Sequence, residues 1–235
     1  MKELVTSTFN KLAHIYETNI DTNGLYNSEY ERPAMMKHIQ LDLRDKTVLD
    51  AGCAAGWYTL QLTNRGASVV ATDISPEMVS ATKRRVGDNT EVICLDLEKE
   101  LPFEDATFDL IISSLTLHYL KNWDQTFREF QRVLKKNGQL LFSVHHPHSD
   151  IKILRDPHYF KVELIIDKWK KEGRVYDVPY YRRPLQYIIN STLNHFNLEE
   201  VIEPEPTLTF KQKSPESYKR LMSCPQFIIM KARKV

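Results

Sequence analysis

The sequence predicts an α/β fold built on a doubly wound, mostly parallel sheet with helices on both faces. Apolar strand candidates alternate with helical segments between residues 47 and 145, as in parallel strands joined by crossover helices. A glycine-bearing turn, residues 50–56, follows the first strand candidate directly, and the second strand candidate ends in an acid, Asp73. Together these observations predict a ligand crevice at the carboxyl ends of the strands.

The elements of the alternating part can be placed in order. Strand candidates cover residues 47–51, 68–73, 91–95, 108–114 and 139–145. Helix candidates cover residues 57–65, a segment that opens at residues 75–77, and residues 123–136. Ser75 followed by Pro76 is a strong helix start, because a serine hydroxyl caps the first turn and proline fits the first helical position. Asn137 and Gly138 predict the end of the third helix.

The alternation stops after Pro147. Turn-forming dipeptides bracket two strand candidates, which we interpret as an antiparallel hairpin inserted after the fifth strand, with Val178 and Pro179 at its end. A helix and two further strands follow. The hairpin strands are residues 159–168 and 173–178, the helix is residues 184–196, and the last strands are residues 199–203 and 226–232.

The length of 235 residues predicts a single domain, residues 1–235. Residues 1–40 have helical spacing and are expected to form an N-terminal helical cover. Residues 150–183 are expected to form a cap over the site. Aromatic and basic side chains in or near the hairpin could act as a lid over a flat or anionic molecule. They are Tyr176, Tyr180, Tyr181, Arg182 and Arg183.

The turn at residues 50–56 and Asp73 indicate a nucleoside-type cofactor. Gly52 and Gly56 lack a Cβ, so the backbone there can approach a ligand closely while the chain passes from strand to helix. Asp73 stands 23 residues after Asp50, at the end of the next strand candidate, where a carboxylate can accept both hydroxyls of a ribose.

The same turn argues against a dinucleotide. The dinucleotide fingerprint G-x-G-x-x-G has a middle glycine where this chain has Ala54, and the nearby Asp50 would repel a pyrophosphate. An acid at this position suits a ligand that carries an ammonium and a sulfonium. S-adenosylmethionine has both charges and no phosphate.

The chain resembles the class I S-adenosylmethionine-dependent methyltransferases, in particular the group that includes the ubiquinone/menaquinone-biosynthesis-like enzymes. Motifs of that family follow one another at residues 48–56, 70–75, 94–97, 101–103, 108–114 and 130–140. The family often has glycine at the position of Ala54. The resemblance implies a seven-stranded Rossmann-like sheet whose last strand is antiparallel, with S-adenosylmethionine as cofactor and S-adenosylhomocysteine as product.

The resemblance also assigns cofactor-binding roles. It places Asp50 and the turn at the methionine portion, Asp73 at the ribose, and Ser114 near the sulfonium. The complete set it implies is Tyr16, Asp50, Gly52, Cys53, Ala54, Gly56, Asp73, Ile74, Met78, Asp96, Leu97 and Ser114. Tyr16 could equally be a core aromatic residue and Met78 a core methionine. For Cys53 we favour a small packed residue over a nucleophile.

Methyl transfer from a sulfonium needs no nucleophilic side chain, but a hydroxyl acceptor gains from a base, and histidine suits neutral pH. The candidates are His118, His145 and His146, at the ends of the fourth and fifth strands. Neighbouring strand residues point to opposite faces, so at most one of His145 and His146 should face the crevice. We expect it to be His146, although a structural histidine is an alternative for each.

Composition limits the cellular setting. The net charge is +1, with 16 Lys and Arg against 20 Asp and Glu in residues 1–146 and 16 against 11 in the remainder. The basic half could contact nucleic acid, but its short, interrupted clusters favour a solvated face. No apolar run approaches the ~20 residues that span a bilayer. Three scattered cysteines predict neither disulfides nor a metal site, so we expect a cytoplasmic protein.

The predicted function is methyl transfer from S-adenosylmethionine to a small-molecule acceptor, with O-methylation favoured. The acceptor itself cannot be named, and the protein is expected to be a monomer or a homodimer without a membrane or nucleic-acid partner. A nucleic-acid or protein methyltransferase and a non-catalytic S-adenosylmethionine-binding protein remain alternatives. An NAD-dependent oxidoreductase is disfavoured by Ala54 and Asp50.

Overall fold

The computed structural model describes all 235 residues and has a seven-stranded sheet at its centre. Its strands are β1 (Thr47–Ala51), β2 (Ser68–Asp73), β3 (Glu91–Cys94), β4 (Phe108–Ser114), β5 (Leu134–His145), β8 (Asn197–Ile202) and β9 (Phe227–Arg233). The order is β3-β2-β1-β4-β5-β9-β8, and β9 is antiparallel to both of its neighbours. A separate antiparallel hairpin consists of β6 (Glu163–Lys171) and β7 (Arg174–Arg182). The predicted fold class is confirmed.

Helices cover both faces of this sheet. They are α1 (Lys2–Thr18), α2 (Ile20–Asn23), α3 (Arg32–Lys37), α4 (Trp57–Asn64), α5 (Pro76–Val86), α6 (Asp124–Val133), α7 (Pro147–Asp150), α8 (Leu185–Leu193), α9 (Leu208–Lys213) and α10 (Pro215–Ser223). A π-helical turn, Asn27–Glu31, precedes α3, and short 3₁₀ turns cover Leu117–Tyr119 and Ile151–Ile153. No helix combines the length and apolar composition needed to cross a membrane.

Burial of apolar stripes explains the layers. Phe127 and Phe130 of α6 pack with Ile188 of α8 in a cluster against one sheet face. Met35 of α3 and Leu62 of α4 belong to a second cluster against the other face. Fully burying each such side chain stabilises the fold by about 1.5–3 kcal/mol. The predicted cap at Ser75 is present, because its hydroxyl accepts a hydrogen bond of 3.1 Å from the Met78 amide.

Two predicted boundaries are wrong. Helix α6 ends at Val133 and β5 begins at Leu134, because Leu134 already pairs with Phe108. Asn137, with a φ of 61°, then adopts the left-handed conformation inside the strand. The hairpin strands lie later than predicted, and Pro179 belongs to β7 where a turn was expected. A two-stranded ribbon has two open edges, so it tolerates a residue without an N–H group.

The N-terminal helix and the hairpin pack on each other. The Thr8 hydroxyl on α1 donates to the Asp177 carbonyl on β7 at 3.0 Å, and Trp169 and Tyr176 pack on a cluster that includes Leu12. Helix α1 also packs along α5. Both elements therefore lie on the side of the domain where the parallel strands end.

Candidate active site

A cavity of about 970 Å³ opens at the carboxyl ends of the parallel strands. Its floor includes Gly52 after β1, Asp73 at the end of β2, Ser114 at the end of β4 and His145 at the end of β5. Tyr16 of α1 lines the opposite side, together with hairpin residues. Open α/β sheets place their ligands at this edge.

The turn after β1 depends on close approach of backbone. Gly52 has a φ of +89°, and a Cβ there would lie 2.2 Å from the Thr116 hydroxyl oxygen. Ala54 adopts a φ of 47°, so the expected glycine position has kept its left-handed conformation with an alanine in it. Gly56 packs on Thr82 of α5 and does not line the cavity, and its contact with the cofactor stays a prediction.

Asp73 lines the cavity with a carboxylate fixed by backbone. Its two oxygens accept hydrogen bonds from the Ser75 amide at 2.8 Å and the Ala54 amide at 3.0 Å. Burial raises the pKa of Asp73 to about 6 despite these bonds. Each carboxylate oxygen retains a lone pair, so the group can still accept the two hydroxyls of a ribose.

Asp50 lies beneath the turn and does not itself line the cavity. Its side chain accepts a hydrogen bond of 2.6 Å from the Thr59 hydroxyl on α4 and is 1% exposed. Burial raises the pKa of Asp50 to about 7, and the nearby Asp73 adds to the increase. The acid therefore connects the strand end to the following helix, and its contact with the methionine portion stays a prediction.

Two further candidates belong to the core. Met78 is fully buried beside Leu12 and does not line the cavity, which fits the core alternative, while its contact with the cofactor stays a prediction. Cys53 contributes to the cavity wall, but its side chain packs with Val79 and Val92, and burial raises its pKa well above the usual value. A thiol in that state is no nucleophile.

The other predicted cofactor residues line the same cavity. They are Tyr16, Gly52, Cys53, Ala54, Asp73, Ile74, Asp96, Leu97 and Ser114. Burial raises the pKa of Tyr16 to about 12, so the phenol stays neutral. The Asp96 carboxylate accepts a hydrogen bond from the Lys2 ammonium at 2.6 Å, which brings the start of α1 to this end of the cavity.

Two charged residues that were not predicted from the sequence, Glu31 and Arg32, lie at the site. The buried Glu31 carboxylate accepts hydrogen bonds from the hydroxyls of Tyr58, Ser114 and Ser143 at 2.6–2.8 Å. Arg32 lines the cavity, and its guanidinium carbon lies 4.4 Å from the centre of the Trp57 ring. It places a cation at the cavity wall, where its guanidinium also donates to the Asp21 carboxylate at 2.8 Å.

His145 faces the cavity at the end of β5. Its Nδ1 lies 3.3 Å from Oδ1 of the buried Asp150, which also accepts a hydrogen bond of 3.2 Å from the Tyr180 hydroxyl. The His118 ring stacks on the His145 ring with 4.2 Å between centres. Burial lowers the pKa of His118 well below its usual value, and this histidine does not line the cavity.

The expectation that His146 faces the cavity is wrong. Its Nε2 lies 2.9 Å from the Glu203 carboxylate, and its Nδ1 accepts a hydrogen bond from the His148 amide at the start of α7. Alternation along β5 does separate the two neighbours, but it turns His145 inward. His146 caps a helix on the other side.

The predicted lid residues also divide. Tyr180 and Tyr181 line the cavity, whereas Tyr176 packs on the α1 cluster. Arg182 and Arg183 are buried and donate to backbone carbonyls, Arg182 to residues 158, 159 and 161 and Arg183 to residues 120, 121 and 181. These two arginines fasten the hairpin and are not available to a ligand.

Comparison with known proteins agrees with this geometry. Residues 49–142 match a family described as a methyltransferase domain. A structure from Mesorhizobium loti, an S-adenosylmethionine-dependent methyltransferase, has a TM-score of 0.69 at 25% identity and covers 86% of this chain and 97% of its own. A Listeria monocytogenes structure provisionally assigned to the same activity has a TM-score of 0.74 at 26% identity, covering 87% and 96%.

Two curated relatives differ in how much of them the chain covers. An uncharacterized Haemophilus influenzae protein is 26% identical in an alignment 228 positions long that covers 89% of this chain and 89% of that protein. A malonyl-[acyl-carrier protein] O-methyltransferase of Methylovorus is 33% identical in an alignment 165 positions long that covers 66% of this chain and 53% of that enzyme. The chain therefore spans about half the length of that enzyme.

The Rossmann-like sheet, the glycine turn with Asp73 beside it and these likenesses define a class I S-adenosylmethionine-dependent methyltransferase. The chain is an enzyme of that class, and S-adenosylmethionine is its cofactor, as predicted. The cavity fits such a ligand, because the Gly52 turn leaves no room for a Cβ and Asp73 offers free acceptor capacity.

Proposed function

We propose that this enzyme methylates an oxygen of a small-molecule acceptor and that His145 is the general base. The observation that carries the proposal is the His145–Asp150 pair at the cavity wall, 3.3 Å apart. The Nδ1 atom makes no hydrogen bond, but the buried Asp150 carboxylate places a negative charge beside the ring, and Nε2 is left for a substrate proton.

The bound cofactor supplies an electrophilic methyl group. We infer that Asp73 accepts the ribose hydroxyls, that Asp96 and Leu97 meet the adenine, and that Tyr16 lies over the cofactor. Arg32 is the proposed partner of the cofactor carboxylate, because it lines the cavity and its only acidic partner is the half-buried Asp21 at 2.8 Å.

We further infer that residues 1–40 act as the cover and residues 150–183 as the cap. Support comes from the cavity wall, to which α1 contributes Phe9 and the hairpin contributes Trp169 and Lys171. A cavity enclosed in this way keeps water from the acceptor, which suits a displacement that depends on the distance and angle of attack.

The test begins with calorimetric titration of S-adenosylhomocysteine into the wild type and the variants His145→Gln, Asp150→Asn and His146→Gln. All four proteins should bind it alike, because none of these residues is assigned to the cofactor. Small phenols, aliphatic alcohols and amines are then screened with release of S-adenosylhomocysteine as the readout.

For a hydroxyl acceptor, His145→Gln should lower kcat by about 10²–10⁴-fold, the usual contribution of a general base. Asp150→Asn should lower it less and shift the pH profile. The matched control, His146→Gln, should retain wild-type kcat because its ring faces Glu203. Equal losses at His145 and His146, or turnover of amines alone, would refute O-methylation with His145 as base.

A second candidate is methylation of a carboxylate on an acyl thioester, and the Methylovorus relative favours it. A carboxylate is already ionised and needs no base. Turnover of malonyl thioesters that His145→Gln leaves intact would support this candidate over the first. The narrower likeness to ubiquinone/menaquinone-biosynthesis-like enzymes would gain support if a phenolic acceptor proved best.

A further inference from the structure

The cavity wall carries more positive than negative side chains. Eight lysines and arginines line it against four aspartates and glutamates. Three of these cations have other roles: Lys2 pairs with Asp96, Arg85 pairs with Asp21, and Arg32, which shares Asp21, is assigned to the cofactor carboxylate. The excess therefore lies with the remaining cations, and it makes the wall attractive to anions.

Two cations without a carboxylate partner, Lys152 and Arg220, lie near Cys224 in the cavity wall. The Lys152 ammonium lies 3.0 Å from the Cys224 sulfur, and Arg220 of α10 contacts the Tyr26 hydroxyl. Neither cation forms an ion pair, in contrast to Lys2 at the adenine side. Ser149 adds a hydroxyl 3.3 Å from the same sulfur.

The cysteine responds to this positive field. Burial raises the pKa of the Cys224 thiol, but hydrogen bonds from Ser149 and Lys152 and the charges of Lys152 and Arg220 outweigh that effect and lower it below the usual value. Lys152 contacts the sulfur directly, Arg220 adds its charge from further away, and both line the same cavity, so this part of the wall favours an anion.

This volume adjoins the proposed base. Phe227 pairs with His145 in the sheet register and stands three residues after Cys224. The rings of His145 and Phe227 are 5.8 Å apart, and both line the cavity. An acceptor can therefore present one group to His145 and another to the Lys152 and Arg220 region.

We propose that Lys152 and Arg220 form a subsite for a carboxylate carried by the methyl acceptor. The substrate class is then a hydroxy acid or phenolic acid, with its hydroxyl at His145 and its carboxylate between the two cations. Arginine suits this role because its planar fork matches a carboxylate. The inference rests on the proposed O-methylation.

Cys224 allows the subsite to be tested without turnover. Iodoacetate and iodoacetamide alkylate the same thiolate with loss of iodide, but only iodoacetate carries a carboxylate. Mass spectrometry gives the rate constants of both reagents at Cys224 and at the exposed Cys94, whose thiol contacts the Ile74 carbonyl and feels the negative charge of Asp73. The ratio of the two rates cancels the thiol pKa, so it reports attraction of the carboxylate.

We expect the iodoacetate-to-iodoacetamide ratio at Cys224 to exceed that at Cys94 by about fivefold or more at low salt, and the excess to shrink in high salt. Lys152→Met and Arg220→Met should each reduce the excess. Lys219→Met, an exposed neighbour on α10 that does not line the cavity, should not. Equal ratios at both cysteines, or equal effects of all three variants, would overturn the subsite.

Failure of the subsite and failure of O-methylation appear in different assays. If the protein turns over no hydroxyl compound but keeps the alkylation excess, the anion subsite is supported and the proposed O-methylation is refuted. If hydroxy acids are turned over, Lys152→Met should raise KM for an acid severalfold and leave KM for its methyl ester unchanged. An equal rise for both compounds would count against the subsite.

Discussion

Lowering the pH should weaken cofactor binding through Asp73. This carboxyl lines the cavity, and burial raises its pKa to about 6 in the free protein. Hydrogen bonds donated by two ribose hydroxyls to the ionised carboxylate would lower the pKa of Asp73 in the complex. Binding therefore removes a proton from the fraction of Asp73 that is protonated beforehand.

The magnitude follows from that pKa. At pH 8 Asp73 is almost fully ionised and the affinity is at its maximum, whereas at pH 5 about one molecule in ten is ionised. The affinity for S-adenosylhomocysteine should then fall by about tenfold, or about 1.4 kcal/mol. The sign is set by the raised pKa: affinity is lost as pH falls through about 6 and is restored above it.

Calorimetry in buffers of different ionisation enthalpy measures both the affinity and the protons released. Wild type should release almost no proton at pH 8 from Asp73 and close to one at pH 5. Asp73→Asn should bind about 1.5–3 kcal/mol more weakly and lose that pH-dependent step. The variant keeps Asp50, whose pKa is about 7, so the difference between the proteins isolates Asp73. A flat wild-type profile, or the same slope in Asp73→Asn, would refute the assignment.

Three further changes test the turn and its surroundings. Ala54→Gly should raise the free energy of unfolding by about 0.5–1 kcal/mol in chemical denaturation, because the residue has a φ of 47°, while Ala55→Gly should lower it by a similar amount. Gly52→Ala should cost about 2–5 kcal/mol and abolish calorimetric S-adenosylhomocysteine binding, since its Cβ would meet Thr116; wild-type affinity would contradict the close approach. Met78→Leu should leave that affinity unchanged because Met78 is buried outside the cavity, and a marked loss would support a cofactor contact instead.

The sheet and its connections could be predicted because each strand has a recognisable local sequence pattern. Apolar runs, the cap at Ser75 and the alternation up to His145 determine which segments pair and where parallel crossovers are needed. Helices α9 and α10 were not predicted, because they are short and contain too few apolar residues to show a helical period. The exact end of α6 depended on pairing between Leu134 and Phe108, which is a tertiary contact.

The site was predictable where a residue follows directly from a strand end, as with Gly52 and Asp73. It was not predictable where orientation decides. Asp50 is the first residue of the stretch 50–56, yet its side chain faces α4. The choice between His145 and His146 depends on Glu203 and on a short helix after the strand, neither of which a period-two pattern reveals.

Glu31 and Arg32 have a structural role, because they join the N-terminal helices to the sheet at the site. The Glu31 carboxylate accepts hydrogen bonds from hydroxyls on α4, β4 and β5, so it fastens the N-terminal helices to the sheet. Arg32 follows it in the chain and therefore reaches the cavity at a position fixed by that carboxylate. Ser114 both lines the cavity and donates a hydrogen bond to Glu31. The position of the N-terminal helices and the geometry at the end of β4 therefore depend on the same hydrogen bonds.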